Sequence, residues 1–227
     1  MSAREEMLGH IRGAVGKGRA ADAAQAVDAR LAAHRMNLIP ARGQLSPDAK
    51  IELFETMARE ASATLARVAA PADVPEAVAQ FLKSENLPSR VAMAPDPWLG
   101  SLGWERQPLL TIRRGRAEPS DEVGVTAAFS AIAETGTLML LSGPDTPTTL
   151  NLLPETSIVV LRASQVVGAY EEAWALLRAA RGGKGGSVDM PRTVNFITGP
   201  SRSADIEQQL QMGAHGPRRL HIVLVDE

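Results

Sequence analysis

The chain has 227 residues, a formal net charge of -2 and 44% hydrophobic residues, a balance typical of a globular protein of one or two domains. The near-neutral charge provides no broad electrostatic surface for nucleic acid or an anionic membrane, and no apolar run is long enough for a membrane span. Cysteine is absent, which excludes disulfides, a cysteine nucleophile and iron–sulfur clusters held by thiolates of this chain. The polar N-terminus lacks the apolar segment of a secretory signal, so a cytoplasmic protein is expected.

Residues 1–45 predict a helical arm that forms a first unit. Ser2 and Glu5 have the spacing of a capping box, and apolar residues follow at helical intervals. A Gly-Lys-Gly interruption at 16–18 separates this helix from a second one with a narrower apolar stripe. Two interpretations stay open: an arm that lies across the main domain, a neighbouring subunit or a partner, or a partly frayed terminus.

Residues 46–227 predict a second unit in which helices and strands alternate. Helices are expected to begin at Ser46-Pro47 and near Asp73, with strands over 64–69, 90–94 and 109–113. This alternation is typical of an α/β domain with a largely parallel sheet. A Pro/Gly-rich loop carries Trp98 and Trp104, which either line a ligand cleft or cover an edge of the core. The second interpretation is the more common one for such residues.

The second half of the chain continues the alternation. The run 123–132 is ambiguous between strand and helix, whereas 137–141 and 158–162 predict strands joined by a polar loop. An amphipathic helix is predicted over 170–180 and strands over 194–197 and 220–225. Between the last two strands, Ile206 and Leu210 indicate one face of a short helix that Gly213 ends.

One candidate site is the segment Glu134-Thr135-Gly136-Thr137, just before a predicted strand. A carboxylate beside two hydroxyls and a glycine suits substrate binding, with Glu134 as base or nucleophile. The alternative is a turn that uses Gly136 for its backbone angles and the threonines for local hydrogen bonds.

A second candidate is the segment 199–207, where Gly199 and Pro200 follow a strand, the position at which open α/β sheets place their ligands. A helix beginning here would direct its N-terminus, the hydroxyls of Ser201 and Ser203 and the guanidinium of Arg202 at an anion. Two further polar residues of this segment lie in the first turns of the predicted helix, Asp205 and Glu207. They complement the helix dipole and would repel a phosphate, so ordinary capping is an equal alternative.

Further candidates carry weaker signals. His215, followed by Gly216, is a possible ligand or acid–base group or only a turn hydrogen-bond donor. The loop Gly182-Gly183-Lys184-Gly185-Gly186 lacks the Ser or Thr after lysine that a phosphate loop requires. The four scattered histidines show no metal-ligand spacing, and no dinucleotide-binding or nucleophile-elbow motif is present.

Four motifs together resemble the LUD domain family, and within it the lactate utilization protein C (LutC-type) group. They are Glu134–Thr137, Leu153-Pro154, Gly199–Glu207 and Gly213–Pro217, and they occur in the family's order across about residues 45–227. Ser203, where the family commonly has threonine, and Thr148-Thr149 before Leu153 are conservative departures. The absence of cysteine agrees with this resemblance, because the sister B-type protein carries a ferredoxin-like cluster region.

The resemblance implies a Rossmann-like open, mostly parallel sheet flanked by helices, similar to the NagB/RpiA/CoA-transferase-like group. It also implies a role in oxidising L-lactate to pyruvate alongside LutA-type and LutB-type iron–sulfur proteins. We therefore expect a non-redox subunit without its own cofactor or metal, which binds a small carboxylate or phosphate-bearing ligand, its partners, or both. The alternative is a stand-alone acyl- or group-transfer enzyme that uses Glu134 and holds an anionic substrate at Ser201 and Arg202.

Overall fold

The computed structural model describes the chain except for residues 1, 17–20, 34, 36, 183–188, 205–209, 214 and 227, and at 15, 16, 21, 22, 203, 204 and 210–212 it describes the backbone alone. The chain divides into two compact units, Met1–Leu38 and Ile39–Glu227. None of the helices in the described ranges has the length and apolar character that crossing a membrane requires.

The first unit contains two helices, α1 (Ala3–Gly16) and α2 (Ala21–Ala33). The predicted capping box of α1 is confirmed: the Ser2 amide donates to Glu5 Oε2 at 2.7 Å, and the Glu5 amide donates to Ser2 Oγ at 3.3 Å. This exchange satisfies two of the amide groups that a helix N-terminus leaves unpaired. Larger apolar side chains of both helices are exposed, including Met7 and Leu31.

The second unit contains the remaining elements. Its helices are α3 (Pro47–Glu60), α4 (Val74–Ser84), α5 (Pro97–Gly100), α6 (Thr149–Leu152) and α7 (Tyr170–Arg181). Its strands are β1 (Thr64–Val68), β2 (Arg90–Met93), β3 (Thr111–Arg114), β4 (Val123–Ala127), β5 (Ser130–Ile132), β6 (Thr137–Leu141), β7 (Thr156–Arg162), β8 (Val166–Val167), β9 (Val194–Ile197), β10 (Arg202–Ala204), β11 (Leu210–Met212) and β12 (Arg219–Val225).

Six strands form a parallel sheet in the order β1-β12-β7-β4-β2-β3. Helices and a second sheet cover its two faces, which explains why its inner strands β4, β7 and β12 are almost entirely buried, whereas the edge strands β1 and β3 are only partly so. The expected open, mostly parallel α/β fold is confirmed.

A second sheet has the order β8-β5-β6-β9, with antiparallel pairs on both sides of β6. The chain enters it directly from the first sheet, because only Ala128 and Phe129 separate β4 from β5. The ambiguous run 123–132 is therefore two strands. Both are almost entirely buried, so neither shows the alternation that identifies a half-exposed strand.

The core consists of three apolar layers. Alternate residues of β7 point to opposite faces of the parallel sheet: Ile158 and Val160 pack toward α4, and Val159 and Leu161 pack toward α3 and the second sheet. The far face of the second sheet packs against α7 through Leu177.

The two tryptophans belong to the edge of this core. Trp104 is 5% exposed, and its indole N–H donates to the Leu99 carbonyl at 2.6 Å. Trp98 is half-buried, with the guanidinium carbon of Arg162 4.2 Å from its ring centroid. Both contacts are typical of aromatic side chains at a packed edge, which favours the core interpretation.

The predicted helix after Gly199 is wrong at its described residues, whereas Ile206 and the rest of 205–209 lie outside them. The described residues on either side of 205–209 are strands, and β10 and β11 pair antiparallel as a hairpin. Backbone hydrogen bonds of Ser201 hold the base of this strand pair. The Ser201 N–H donates to the Pro217 carbonyl at 2.8 Å, and the Ser201 carbonyl accepts from the Gly213 N–H at 2.9 Å. Two apolar residues at helical spacing are a weak signal, and the cross-strand pairing overrides it.

Candidate functional site

A cleft with a volume of about 310 Å³ lies between the two sheets. Three segments supply most of its lining: the end of β9 with the turn after it (196–202), the glycine turn 215–217, and α6. Ser157 and Leu220, the second residues of β7 and β12, form part of its wall. The cleft is therefore at the amino ends of these parallel strands. The usual ligand position in open α/β sheets is at the carboxyl ends. The strand that Gly199 follows, β9, belongs to the second sheet and not to the parallel one.

The structure brings two of the predicted segments together in this cleft. Gly199, Pro200, Ser201 and Arg202 line it from one side, and the His215-Gly216 turn lines it from another. The backbone N–H of His215 donates to Ser201 Oγ at 3.3 Å, which ties the two segments to each other.

Gly199 holds its turn against the end of α3. It has a φ of 70°, and a Cβ at this position would overlap the Ala61 carbonyl oxygen. Both conditions favour glycine, because other residues rarely adopt this backbone conformation. The same Ala61 carbonyl accepts a hydrogen bond from Arg202 Nη2 at 3.1 Å. Arg202 is exposed and is anchored by this bond at the mouth of the cleft.

No helix N-terminus faces the cleft at Ser201, since Arg202–Ala204 is a strand. The helix amides that were predicted to attract an anion are therefore not found at Ser201. The Arg202 guanidinium is the predicted positive group that lines the cleft here. Ser203 lies in that strand, and its side chain is outside the description, as are Asp205, Glu207 and the Lys184 loop.

Glu134 does not line the cleft. It is 6% exposed, its backbone N–H donates to the Gly168 carbonyl at 3.1 Å, and its Oε2 has no hydrogen-bond partner among the described residues. Gly136 follows in a turn with φ 64°, where a Cβ would overlap the backbone of Met57 and Ala58 in α3. This glycine therefore permits close approach of the helix, as the turn interpretation predicts.

Thr135 and Thr137 connect the Glu134 segment to the cleft through hydroxyl groups. Thr137 Oγ1 is 2.7 Å from Thr135 Oγ1, 3.1 Å from Tyr170 Oη and 2.6 Å from Thr198 Oγ1. Thr135 Oγ1 is in turn 3.3 Å from Tyr170 Oη. Because Thr198 lines the cleft, Thr137 is one hydrogen bond removed from it.

Asn151 and Ser157 are among the residues of the cleft wall that sequence reasoning missed. They are 2% and 1% exposed, and Asn151 Oδ1 and Ser157 Oγ have no hydrogen-bond partner among the described residues. Buried polar groups of folded proteins are usually bonded. One feature of the sequence could have drawn attention to Asn151. Its amide stands between Leu150 and Leu152, in the polar loop that joins the strands predicted over 137–141 and 158–162.

His221 lies on the other face of the parallel sheet, away from the cleft lining. Its ring stacks on Phe81 with centroids 3.8 Å apart and an interplanar angle of 9°, and Nδ1 is 2.8 Å from Thr64 Oγ1. Burial lowers its pKa from 6.5 to about 4, because removal from water disfavours the charged imidazolium. His221 is therefore a neutral core residue at physiological pH. The described residues contain no cluster of three or more metal-ligating side chains.

Comparison with known proteins places the chain in a family. A family model described as the LUD domain matches residues 51–225. The chain is 38% identical over 107 residues to "Lactate utilization protein C" of Bacillus subtilis (strain 168), which covers 46% of this chain and 42% of that protein. It is 36% identical over 132 residues to the protein of the same name from Geobacillus thermodenitrificans, covering 57% and 50%. The aligned region thus spans about half the length of these curated relatives.

A solved structure agrees with the fold. The crystal structure of a DUF162 family protein from Deinococcus radiodurans superposes with a TM-score of 0.56 at 25% identity, covering 80% of this chain and 99% of that chain. The family match includes the Glu134 turn and the two segments that meet in the cleft. The chain belongs to the LUD domain family.

Proposed function

We propose that this protein is a non-redox subunit in L-lactate utilization, acting with LutA-type and LutB-type iron–sulfur proteins that oxidise L-lactate to pyruvate. Its role is to bind a small anionic ligand in the cleft between the two sheets, the partner subunits, or both. The name of the relatives, lactate utilization protein C, supports the metabolic role. The absence of cysteine supports clusters held by the partners, since thiolates are their usual ligands.

The observation that carries the ligand half of the proposal is the meeting of two distant segments at one cleft. Residues 199–202 and 215–217 both line it, and they join through the contact between His215 and Ser201. A cleft with a few convergent polar groups is the usual form of a small-molecule site. Arg202 at the mouth supplies a planar donor group that suits a carboxylate.

The alternative, an acyl- or group-transfer enzyme using Glu134, needs this carboxylate to reach a bound substrate. Glu134 is buried and does not line the cleft, so the geometry favours the binding subunit over the transferase.

Co-purification tests the proposal. The tagged full chain is mixed with the LutA-type and LutB-type proteins of the same source, and we expect both to be retained with it. In parallel, isothermal titration with L-lactate and larger carboxylates is expected to show binding that Arg202→Gln weakens. The control is Arg116→Gln, a change at an exposed arginine outside the cleft lining, which is expected to leave this binding unchanged. If neither protein is retained and no carboxylate binds, the proposal is contradicted.

A further inference from the structure

Two residues of the inner wall of the cleft carry a buried side-chain atom that has no hydrogen-bond partner in the described part of the protein. Asn151 Oδ1 and Ser157 Oγ are buried and unpartnered, and both residues line the cleft. An unsatisfied buried polar group destabilises a fold. A bound molecule that supplies the missing partners would remove this penalty.

Thr198 is an exposed residue of the cleft lining whose hydroxyl already has one partner, and counting hydrogens gives its role. Thr135, Thr137 and Tyr170 form a triangle of three hydroxyl contacts, and each hydroxyl has one hydrogen to donate. The triangle uses all three hydrogens, so the fourth contact, at 2.6 Å, is donated by Thr198 to Thr137. The Thr198 oxygen then offers only lone pairs to the cleft.

The cleft lining therefore offers two acceptors, the Asn151 amide oxygen and the Thr198 oxygen, beside the Ser157 hydroxyl, which can both donate and accept. A matching ligand must bring O–H or N–H donors. At the mouth, the Arg202 guanidinium favours a carboxylate, which it can bind in a bidentate manner. The cleft of about 310 Å³ corresponds to about ten water molecules at ~30 Å³ each, which is more space than a three-carbon acid occupies.

We propose that the cleft binds a polyhydroxylated carboxylate longer than lactate, of the sugar-acid class. Its hydroxyl groups donate to Asn151 Oδ1 and Thr198 Oγ1, and its carboxylate faces Arg202. This inference rests on the small-anion site of the proposed function and specifies the ligand class for it.

Isothermal titration of the full chain with carboxylate pairs of equal charge and carbon number tests the assignment. D-gluconate is compared with hexanoate, and L-lactate with propionate. We expect D-gluconate to bind at least tenfold more tightly than hexanoate and more tightly than L-lactate, since a site built to accept hydrogen bonds rejects analogues that lack the donors.

Equal affinity for D-gluconate and hexanoate would overturn the hydroxyl assignment while leaving the anion site of the proposed function intact. Tighter binding of D-glucose 6-phosphate than of D-gluconate would overturn the carboxylate assignment. If no anion binds, both this inference and the ligand half of the proposed function are overturned. The partner half of the proposed function is tested separately, by co-purification with the LutA-type and LutB-type proteins.

Two variants separate a binding role from a structural one. Asn151→Leu is expected to weaken D-gluconate binding at least tenfold, and Ser157→Ala to weaken it measurably, with no loss in the melting temperature of the unliganded protein. The control is Ser84→Ala, because Ser84 Oγ already donates to the Phe81 carbonyl at 2.9 Å; this change is expected to lower the melting temperature and leave D-gluconate binding unchanged. A loss of melting temperature in Asn151→Leu and Ser157→Ala with unchanged affinity would contradict the proposal.

Discussion

The buried His221 ring predicts a pH dependence of stability. An unfolded histidine titrates near 6.5, and burial lowers the folded-state pKa to about 4. Well above pH 6.5 neither state binds a proton at this ring, so it contributes no pH dependence there. As the pH falls below 6.5, the unfolded state takes up a proton that the folded state does not, and stability decreases until the folded ring also titrates near pH 4.

The magnitude follows from the same two pKa values. Linkage gives a loss of roughly 1.4 kcal/mol at pH 5.5 and roughly 2.5 kcal/mol at pH 4.5, relative to pH 7.5. Both are sizeable against the 5–15 kcal/mol typical of a folded domain. Carboxylates and exposed histidines titrate in the same range, so the effect of this ring must be isolated by comparison with a variant.

His221→Phe is the matched variant, because it keeps an aromatic ring on Phe81 and removes the titrating group. Urea unfolding of both proteins at pH 7.5, 5.5 and 4.5 gives the free energy of unfolding at each pH. We expect wild type to lose roughly 2.5 kcal/mol more than the variant between pH 7.5 and 4.5. Parallel loss in the two proteins would refute the buried neutral histidine.

Three further predictions concern the candidate site. Gly199→Ala is expected to lower the free energy of unfolding by roughly 2 kcal/mol or more, because its Cβ would overlap Ala61 at a positive φ; Gly143→Ala, where the added Cβ meets only a side-chain atom at 3.4 Å, is the control. Thr137→Val is expected to destabilise by roughly 1–3 kcal/mol and Thr137→Ser much less, and equal effects would show that the hydroxyl contacts are unimportant. Glu134→Gln is expected to leave the urea midpoint unchanged or higher, since its buried Oε2 is unpartnered, and a clear loss of stability would contradict this description.

Much of the fold follows from local pattern in the sequence. The α4 helix was predictable because its apolar residues recur at helical spacing, and its buried residues include Val78, Phe81 and Leu82. β7 was predictable from its apolar run, although it begins two residues earlier than expected, at Thr156. The split of 123–132 into two strands was not, because both halves are buried and the break between them depends on which sheet each half joins.

The hairpin after Gly199 shows where local pattern fails. Helical spacing of Ile206 and Leu210 suggested a helix, but β10 pairs with β11, and Ser201 contacts residues from 213 to 217. Helical spacing relates only residues three or four positions apart, so it contains no information on these cross-strand partners.

The candidate site was partly predictable for a related reason. The segments at Gly199 and His215 attract attention because small and polar residues cluster there, and they do meet. Asn151 and Ser157 matter because they are buried without partners, and burial is a property of the tertiary structure. Thr198 matters because of its bond to Thr137, 61 residues away.

Lactate oxidation by the reconstituted proteins tests the central claim most directly. The LutA-type and LutB-type proteins are combined with L-lactate and an artificial electron acceptor, with and without this chain, and pyruvate formation is measured. The account predicts that pyruvate formation falls strongly when the chain is omitted and is restored by adding it back. Full pyruvate formation in its absence would contradict the assignment of this protein as a subunit of the lactate-oxidising complex.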